Sequence, residues 1–193
     1  LLTLADSPMA RTRMDAGKLA AKVQREIGIS VMPHICCRDK NVIAMRSGIL
    51  GDYMNDLRHF LIITGDPVGR ESKGAVTPVF DFNSIRFMEY VSQMNEEVFA
   101  EEPVLYGGAL NYHGANPDAI CRRVRQKMEK GCCMFLTQPI YSPEDIARIR
   151  YIREQTGAKI MCGIMPLVSY KNARFMANEM PGIRIPDEVV ERY

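Results

Sequence analysis

The stretch HFLIITGDP, residues 59–67, is a run of branched and aromatic side chains that stops at Thr64-Gly65-Asp66-Pro67. Near-continuous hydrophobicity of this kind is typical of a strand in a parallel sheet that is covered on both faces. An aspartate before a proline is also a common turn former. The stretch by itself leaves open whether Asp66 only begins a turn or contacts a ligand.

Five other short apolar runs of the same character are spread along the chain. They are LLTL from residue 1, VMPHICC from 31, PVLYGGAL from 103, CCMFLT from 132 and KIMCGI from 159. The segment after Asn116-Pro117 repeats apolar residues every four positions up to Gly131, and Ser142 with Asp145 has the spacing of a capping box. The pattern predicts strands that alternate with helices.

Alternation of strands and helices within one chain predicts an α/β fold. The 193 residues contain no internal linker or low-complexity tract, so we expect a single domain over residues 1–193. Periodicity leaves two architectures open, a doubly wound sheet and part of an eight-stranded barrel.

The composition is that of a soluble globular protein, with 47% hydrophobic and 25% charged residues. A formal net charge of +2 gives no reason to expect a nucleic-acid partner. No apolar run reaches the roughly 18 residues that cross a bilayer, so we expect no membrane contact and a cytoplasmic location. Six cysteines lack the spacing of zinc or redox sites, and we interpret them as reduced, buried small hydrophobes, with no metal bound.

Polar residues fall at the carboxyl end of each predicted strand, where both architectures bind ligands. They include Thr3, His34, Thr64-Gly65-Asp66, Asn111 and Thr137-Gln138. Structural alternatives exist, since His34 could be a core histidine and Gln138 could bond a neighbouring loop. Six strand ends that meet at one rim nevertheless predict a binding site.

A basic run lies on the helix predicted after Asn116. Its members are Arg122, Arg123, Arg125, Lys127 and Lys130. A solvated helix face is the ordinary interpretation. However, Arg123 and Lys127 are four residues apart, close to the amino end of a helix that begins near the rim, where phosphate groups bind well. A phosphate-bearing ligand is therefore the alternative.

Seven ordered motifs resemble the methylenetetrahydrofolate reductases, in the branch fused to a homocysteine methyltransferase domain. The motifs are TLADSP, PHICCRDKN, ITGDP, VFDFNSI, LTQPIY, GIMPLVSYKNA and MPGIRIP, and they span nearly the whole chain. The resemblance implies a (β/α)8 TIM barrel rather than a doubly wound sheet. It also implies an FAD enzyme that uses NAD(P)H to reduce 5,10-methylenetetrahydrofolate to 5-methyltetrahydrofolate by a ping-pong mechanism, in one-carbon metabolism and methionine biosynthesis.

The resemblance also implies roles for individual residues. The implied flavin contacts are Thr3, His34, Thr64, Gly65, Asp66, Asn111, Arg123 and Lys127, with Phe80 and Asp81 aligned less securely. Asp66 is the implied catalytic residue, since a carboxylate near the reacting rings would orient the pterin and favour positive charge on folate. Gln138 and Asn172 are the implied folate contacts, together with Asp66. Met176 stands where other members carry a stacking aromatic residue.

In the family, the first barrel strand and its acidic residue lie before TLADSP, and the last strand lies beyond IPDEVVERY. We therefore expect about six of the eight strands here, and a longer polypeptide around them. We expect the isolated chain to aggregate through its open sheet edges or to need a partner. The expected partners are a small-molecule folate, a fused or associated homocysteine methyltransferase domain and further copies in a homo-oligomer.

Two other functions stay open at this point. One is a non-catalytic flavin- or folate-binding module, or a docking module, of a longer methyltransferase polypeptide. The other is a different barrel without flavin that holds a phosphorylated substrate through Arg123 and Lys127.

Overall fold

The computed structural model describes residues 1–68, 76–180 and 182–193, so residues 69–75 and Pro181, which belongs to the MPGIRIP motif, lie outside the described residues. Its strands are β1 (Leu2–Leu4), β2 (Val31–Cys36), β3 (His59–Ile63), β4 (Leu105–Leu110), β5 (Met134–Pro139) and β6 (Ile160–Gly163). Its α-helices are α1 (Ala16–Ile27), α2 (Val42–Met54), α3 (Ser84–Glu97), α4 (Pro117–Glu129), α5 (Pro143–Thr156), α6 (Tyr170–Glu179) and α7 (Asp187–Val190). Strands therefore form in all six predicted runs, and helices separate them.

Strand order distinguishes the two architectures that periodicity left open. The strands follow chain order from β1 to β6, and the described pairs are parallel, with Thr3 opposite Met32 and His34 opposite Leu61. A doubly wound sheet would contain a point at which the strand order reverses. No reversal occurs among the described strands, so the fold is that of an incomplete (β/α)8 barrel, as expected.

Two compact units make up the described chain. The first comprises Leu1–Gly108 and Glu129–Cys132, and the second comprises Ala109–Met128 and Cys133–Tyr193. The expectation of a single domain over residues 1–193 stays a prediction.

The core of the first unit is built from the continuous apolar runs of its strands and the inner faces of its helices. Phe60, Leu61 and Ile62 of β3 are all buried, which matches a strand covered on both faces. Tyr53 and Phe99 stack with ring centroids 4.2 Å apart near the amino end of β3.

The second unit has its own hydrophobic cluster. It consists of Leu167, Ala173, Met176, Ile183, Ile185 and Val190. The buried Tyr112 donates its hydroxyl hydrogen to the carbonyl of Pro139 over 2.8 Å, which ties the segment after β4 to the end of β5. Strands β5 and β6 pair with a register irregularity between Leu136 and Pro139.

Local signals account for the helix ends. The hydroxyl of Ser142 accepts a hydrogen bond from the Asp145 N–H at 3.1 Å, as the capping spacing predicts. Gly131 follows α4 with φ +85°, a left-handed conformation that glycine adopts without strain.

The cysteines match the sequence interpretation only in part. All six are free thiols, and Cys36, Cys37, Cys121 and Cys132 are buried. Cys133 and Cys162 are exposed, because Cys133 precedes its strand and the β6 residues around Cys162 are only partly covered. The expectation that all six are buried was therefore wrong. No helix among the described residues is both long and apolar enough to cross a membrane.

Candidate functional site

Asp66 lies just beyond the carboxyl end of β3 and is fixed by residues remote in sequence. Its Oδ2 accepts a hydrogen bond from the backbone N–H of Met9 at 2.9 Å. Its carbonyl oxygen accepts another from Arg38 Nη1 at 3.1 Å. A residue that only began a turn would bond to its own neighbours. Asp66 instead joins the segments that follow β1, β2 and β3.

The segment that contacts Asp66 is conformationally strained. Ser7, Met9 and Ala10 have φ of 43°, 55° and 55°, in the left-handed region that non-glycine residues seldom occupy. Such residues persist only where their surroundings hold them, and they occur often at functional sites. The strain lies directly beside the Asp66 carboxylate.

Thr64 and Gly65 serve packing roles at the end of β3. Thr64 Oγ1 accepts a hydrogen bond from the Ser84 N–H at 3.1 Å and lies 3.2 Å from Ser84 Oγ, which ties β3 to the start of α3. Gly65 has φ +98°, and a Cβ there would collide with Cys36 Sγ. The glycine is therefore required both by its backbone conformation and by the closeness of β2.

His34 lies late in β2 and carries a polar atom without a protein partner. Its Nε2 is buried and forms no hydrogen bond with the described residues. Burial lowers the pKa of His34 to about 4, although the carboxylate of Asp6 opposes that shift. The imidazole is consequently neutral at physiological pH. Thr3, on the neighbouring strand β1, is exposed.

Four charged residues to which the resemblance assigned no role interact with one another, namely Asp6, Asp15, Lys40 and Asp52. Asp6 is buried, and its Oδ2 accepts a hydrogen bond from the Cys36 N–H at 3.1 Å. Lys40 Nζ lies 3.6 Å from both Asp6 Oδ2 and Asp15 Oδ2. Burial, aided by the nearby Asp15 and Asp6 carboxylates, raises the pKa of Asp52 to about 7 against the opposing effect of Lys40. Asp6 and Lys40 lie in the TLADSP and PHICCRDKN motifs, so the sequence could have indicated them, whereas Asp15 and Asp52 lie in no motif.

Five predicted site residues lie in the second unit, and three of them, Asn111, Gln138 and Asn172, carry side-chain amides. Asn111 follows β4 and is exposed, and its Oδ1 accepts a hydrogen bond from the His113 N–H at 3.1 Å. Gln138 lies at the end of β5, where its Nε2 would be 3.6 Å from a Cβ placed on Gly182. Asn172 lies in the first turn of α6, and its Oδ1 accepts a hydrogen bond from the Val168 N–H at 3.3 Å.

Arg123 and Lys127 do not form the exposed pair that their spacing indicated. Arg123 is exposed, whereas Lys127 is only 6% exposed and lies in the last turn of α4 rather than near its amino end. Lys127 Nζ donates to the carbonyl of Ala109 at 2.8 Å and lies 6.0 Å from the ring centroid of Phe135. The expected position of Lys127 near the helix amino end was wrong, because α4 begins at Pro117 and ends at Glu129, which puts Lys127 in its last turn.

The structure also shows the surroundings of Met176, Phe80 and Asp81. Met176, aligned with an aromatic stacking position, lies in the hydrophobic cluster of the second unit and is 7% exposed. Asp81 Oδ2 accepts a hydrogen bond from the Val42 N–H at the start of α2, at 3.1 Å, and Phe80 is partly exposed with φ +46°. Among the described residues no group of three or more His, Cys, Asp or Glu could hold a metal ion.

A model of the methylenetetrahydrofolate reductase family matches residues 3–193 of the chain. The chain belongs to the methylenetetrahydrofolate reductase family. This confirms, at the level of the family, the resemblance carried by the seven motifs. No curated protein matches the chain.

Solved structures share the fold of this family member at low sequence identity. A 2,3-dimethylmalate lyase of the PEP mutase/isocitrate lyase superfamily has a TM-score of 0.57 and 15% identity, over 92% of this chain and 60% of its own. A protein from Burkholderia cenocepacia named as a lyase/mutase has a TM-score of 0.55 and 14% identity, over 100% and 82%. A protein from Clostridium thermocellum that binds two copies of 5-methyl-5,6,7,8-tetrahydrofolic acid has a TM-score of 0.46 and 19% identity, over 100% and 75%. The first two likenesses support the fold alone, and this chain spans 60% of the dimethylmalate lyase.

The family's flavin can be tested against the residues at these strand ends. The buried, unpartnered Nε2 of His34 suits a polar edge of a ligand, because an orphaned buried polar atom is otherwise costly. The Asp66 carboxylate is partly exposed and firmly held, as a ligand contact requires. Lys127 does not fit a direct phosphate contact, since its side chain is buried and its ammonium bonds to Ala109. The residues of the first unit therefore fit the group, and Lys127 does not.

Proposed function

We propose that the protein carrying this chain is an FAD-dependent methylenetetrahydrofolate reductase that works by a ping-pong mechanism. When bound, FAD would supply hydride transfer from NAD(P)H to 5,10-methylenetetrahydrofolate, giving 5-methyltetrahydrofolate. The observation that carries the proposal is the fixed carboxylate of Asp66 at the end of β3, in a chain matched by the family over residues 3–193.

Residues of the first unit would hold the flavin. The proposed contacts lie on three neighbouring strands or just after them. They are Thr3 in β1, His34 in β2, and Thr64, Gly65 and Asp66 directly after β3. His34 would stay neutral, because burial lowers its pKa to about 4, and so would offer either a donor or an acceptor without adding charge. Gly65 would let the backbone approach the flavin closely, since glycine carries no side chain.

Residues of the second unit would add further contacts. Asn111 and the exposed Arg123 are the proposed contacts to the outer part of the cofactor. Lys127 enters the proposal only through its hydrogen bond to Ala109, which fixes the end of β4 beside Asn111.

Asp66 would act on folate through its charge. The hydrogen bond from Met9 uses Oδ2, and we assign Oδ1 to the pterin. A preorganised carboxylate stabilises positive charge that develops on the folate as the methylene bridge opens, with no reorganisation at the moment of reaction. Gln138 would pair with the pterin through an amide that supplies a donor and an acceptor side by side. Asn172 would use its amide N–H group, because its Oδ1 already bonds to Val168.

We further propose a cellular setting and partners for this activity. The protein would act in the cytoplasm, in one-carbon metabolism and methionine biosynthesis, as a homo-oligomer with a fused or associated homocysteine methyltransferase domain. The family match over residues 3–193 supports the metabolic part of this proposal.

An anaerobic spectrum of the full-length protein tests the proposal. FAD is added first, then NADH or NADPH, then 5,10-methylenetetrahydrofolate. We expect flavin bleaching by the nicotinamide and reoxidation by folate. Binding of FAD without reoxidation would favour the non-catalytic module, and a failure to bind FAD at all would overturn the proposal.

A further inference from the structure

Arg38 is the largest side chain that is almost fully buried in the first unit, at 1% exposure. Its Nε and Nη2 donate to Asp39 over 2.7 and 2.6 Å. Its Nη2 also donates to the carbonyl of Ser7 at 2.9 Å, and its Nη1 donates to the carbonyl of Asp66 at 3.1 Å. One guanidinium thus joins the segments that follow β1, β2 and β3.

A gain in folding stability does not explain why the Arg38 guanidinium is buried among these groups. Removing a charged group from water is costly, and a buried ion pair often stabilises a protein no better than apolar packing would. What the guanidinium adds is geometry, because its planar fork directs several N–H groups in fixed directions. The two terminal nitrogens donate to backbone carbonyls of the candidate site, those of Ser7 and Asp66.

The contacts of Arg38 close a ring around Asp66. Arg38 holds the Ser7 carbonyl, and Met9, two residues later, donates its N–H to the Asp66 carboxylate. Arg38 holds the Asp66 carbonyl directly. Both Ser7 and Met9 have strained backbone conformations, so this segment would relax if its anchor were removed.

We propose that Arg38 is a positioning residue that fixes the Asp66 carboxylate by clamping the Ser7–Met9 segment and the Asp66 backbone together. The kinetic part of this inference rests on the proposed function, whereas the clamp itself does not. Arg38 would act through Asp66 and not through a contact of its own with folate or flavin. Lysine at this position would keep the charge and lose the fork, so it would not replace arginine.

Hydrogen exchange on the full-length protein tests the clamp whether or not the protein binds flavin. In Arg38→Gln and Arg38→Lys we expect the Met9 amide to exchange at least about tenfold faster, because its acceptor is no longer fixed. Arg58→Gln is the matched control. Arg58 also donates to two backbone carbonyls, those of Tyr53 and Leu57, but it precedes β3 at the opposite end of the strand. Unchanged Met9 exchange in Arg38→Gln, or an equal change in Arg58→Gln, would overturn the clamp.

A double-mutant cycle tests whether the Arg38 clamp contributes to the reaction. We expect Arg38→Gln to slow folate-driven flavin reoxidation about 10- to 100-fold per bound flavin, since small misplacements of a reacting group have effects of this size. Added to Asp66→Asn, the same substitution should have little further effect, because both act through one carboxylate. Additive effects, or full activity in Arg38→Lys, would overturn the positioning role. If the wild-type protein shows no folate-driven reoxidation while Met9 exchange responds as expected, the proposed function fails and the clamp stands.

Discussion

The backbone N–H of Met9 donates a hydrogen bond to Asp66 Oδ2 over 2.9 Å, across 57 residues of sequence. Neither residue lies in a strand, and each follows one. Parallel strands place their carboxyl ends at the same edge of a sheet, so residues far apart in the chain become neighbours there. The bond shows that the Asp66 carboxylate is held in place rather than left to solvent.

Asp66→Asn should separate the charge of this residue from its hydrogen bond. Asparagine retains an oxygen that accepts from Met9, so we expect a change of less than about 1 kcal/mol in the free energy of unfolding. Loss of the negative charge should slow flavin reoxidation by folate about 100-fold or more. Stopped-flow absorbance under anaerobic conditions measures that step. Asp56→Asn, on a side chain 88% exposed, is the control, and equal effects in the two variants would contradict the assignment.

His34 should make the protein less stable in mild acid. Its pKa is lowered to about 4 in the folded protein by burial, whereas the unfolded chain binds the proton near pH 6.5. Between these values the unfolded state holds more protons, so stability is complete above about pH 6.5 and falls as the pH decreases towards 4. The loss attributable to His34 is at most about 3 kcal/mol. Denaturant unfolding at several pH values should show a flatter dependence in His34→Gln, and parallel curves would contradict the prediction.

Asp52 should have the opposite dependence on pH. Burial and the nearby Asp15 and Asp6 carboxylates raise its pKa to about 7 in the folded protein. The folded state therefore retains a proton that the unfolded chain has released, so stability falls as the pH rises from about 4 to 7. Asp52→Asn removes this loss and should be more stable than the wild type at pH 8.

The expected gain in the free energy of unfolding for Asp52→Asn is on the order of 1 to 2 kcal/mol. This is less than the full pKa shift would give, because the side chain is partly exposed and solvent screens its charge. The two proteins should converge below about pH 4, where Asp52 is protonated in both states. A gain that stayed constant over the whole range would show that Asp52 is not its source. Denaturation midpoints at pH 4 and pH 8 measure the difference.

Gly65→Ala should destabilise the end of β3 more than an ordinary glycine replacement does. Gly65 has φ +98°, and the new methyl group would meet Cys36 Sγ. We expect a loss of about 2 to 4 kcal/mol from backbone strain and overpacking together. Gly28→Ala is the matched control, because Gly28 has φ +72° and no atom lies within 4 Å of the place that its new methyl group would occupy.

The control isolates the collision from the backbone strain. Gly28→Ala should lose only about 1 to 2 kcal/mol, since it has no collision to relieve. Cys36→Ala removes the sulfur and should restore part of the stability of Gly65→Ala. Equal losses for the two glycine variants, measured by thermal or denaturant unfolding, would show that Cys36 does not restrict Gly65.

Much of the fold was predictable from local pattern. The apolar runs became β1 to β6, and Ser142 caps α5 as its spacing indicated. Such features depend on residues within a few positions of each other, where side-chain periodicity and capping chemistry act. The burial of Lys127 was missed because its charge indicated a solvated position, whereas its place three residues after the buried Val124 puts it on the apolar face of α4.

The sequence by itself determined that the chain is an α/β protein of the methylenetetrahydrofolate reductase family and that Asp66 follows a buried strand. Only the tertiary structure decided what holds Asp66. Its two partners, Met9 and Arg38, are 57 and 28 residues away in the chain. A buried guanidinium must donate its hydrogen bonds to whichever acceptors lie near it in the folded protein. The spacing of residues in the sequence does not indicate which acceptors those are.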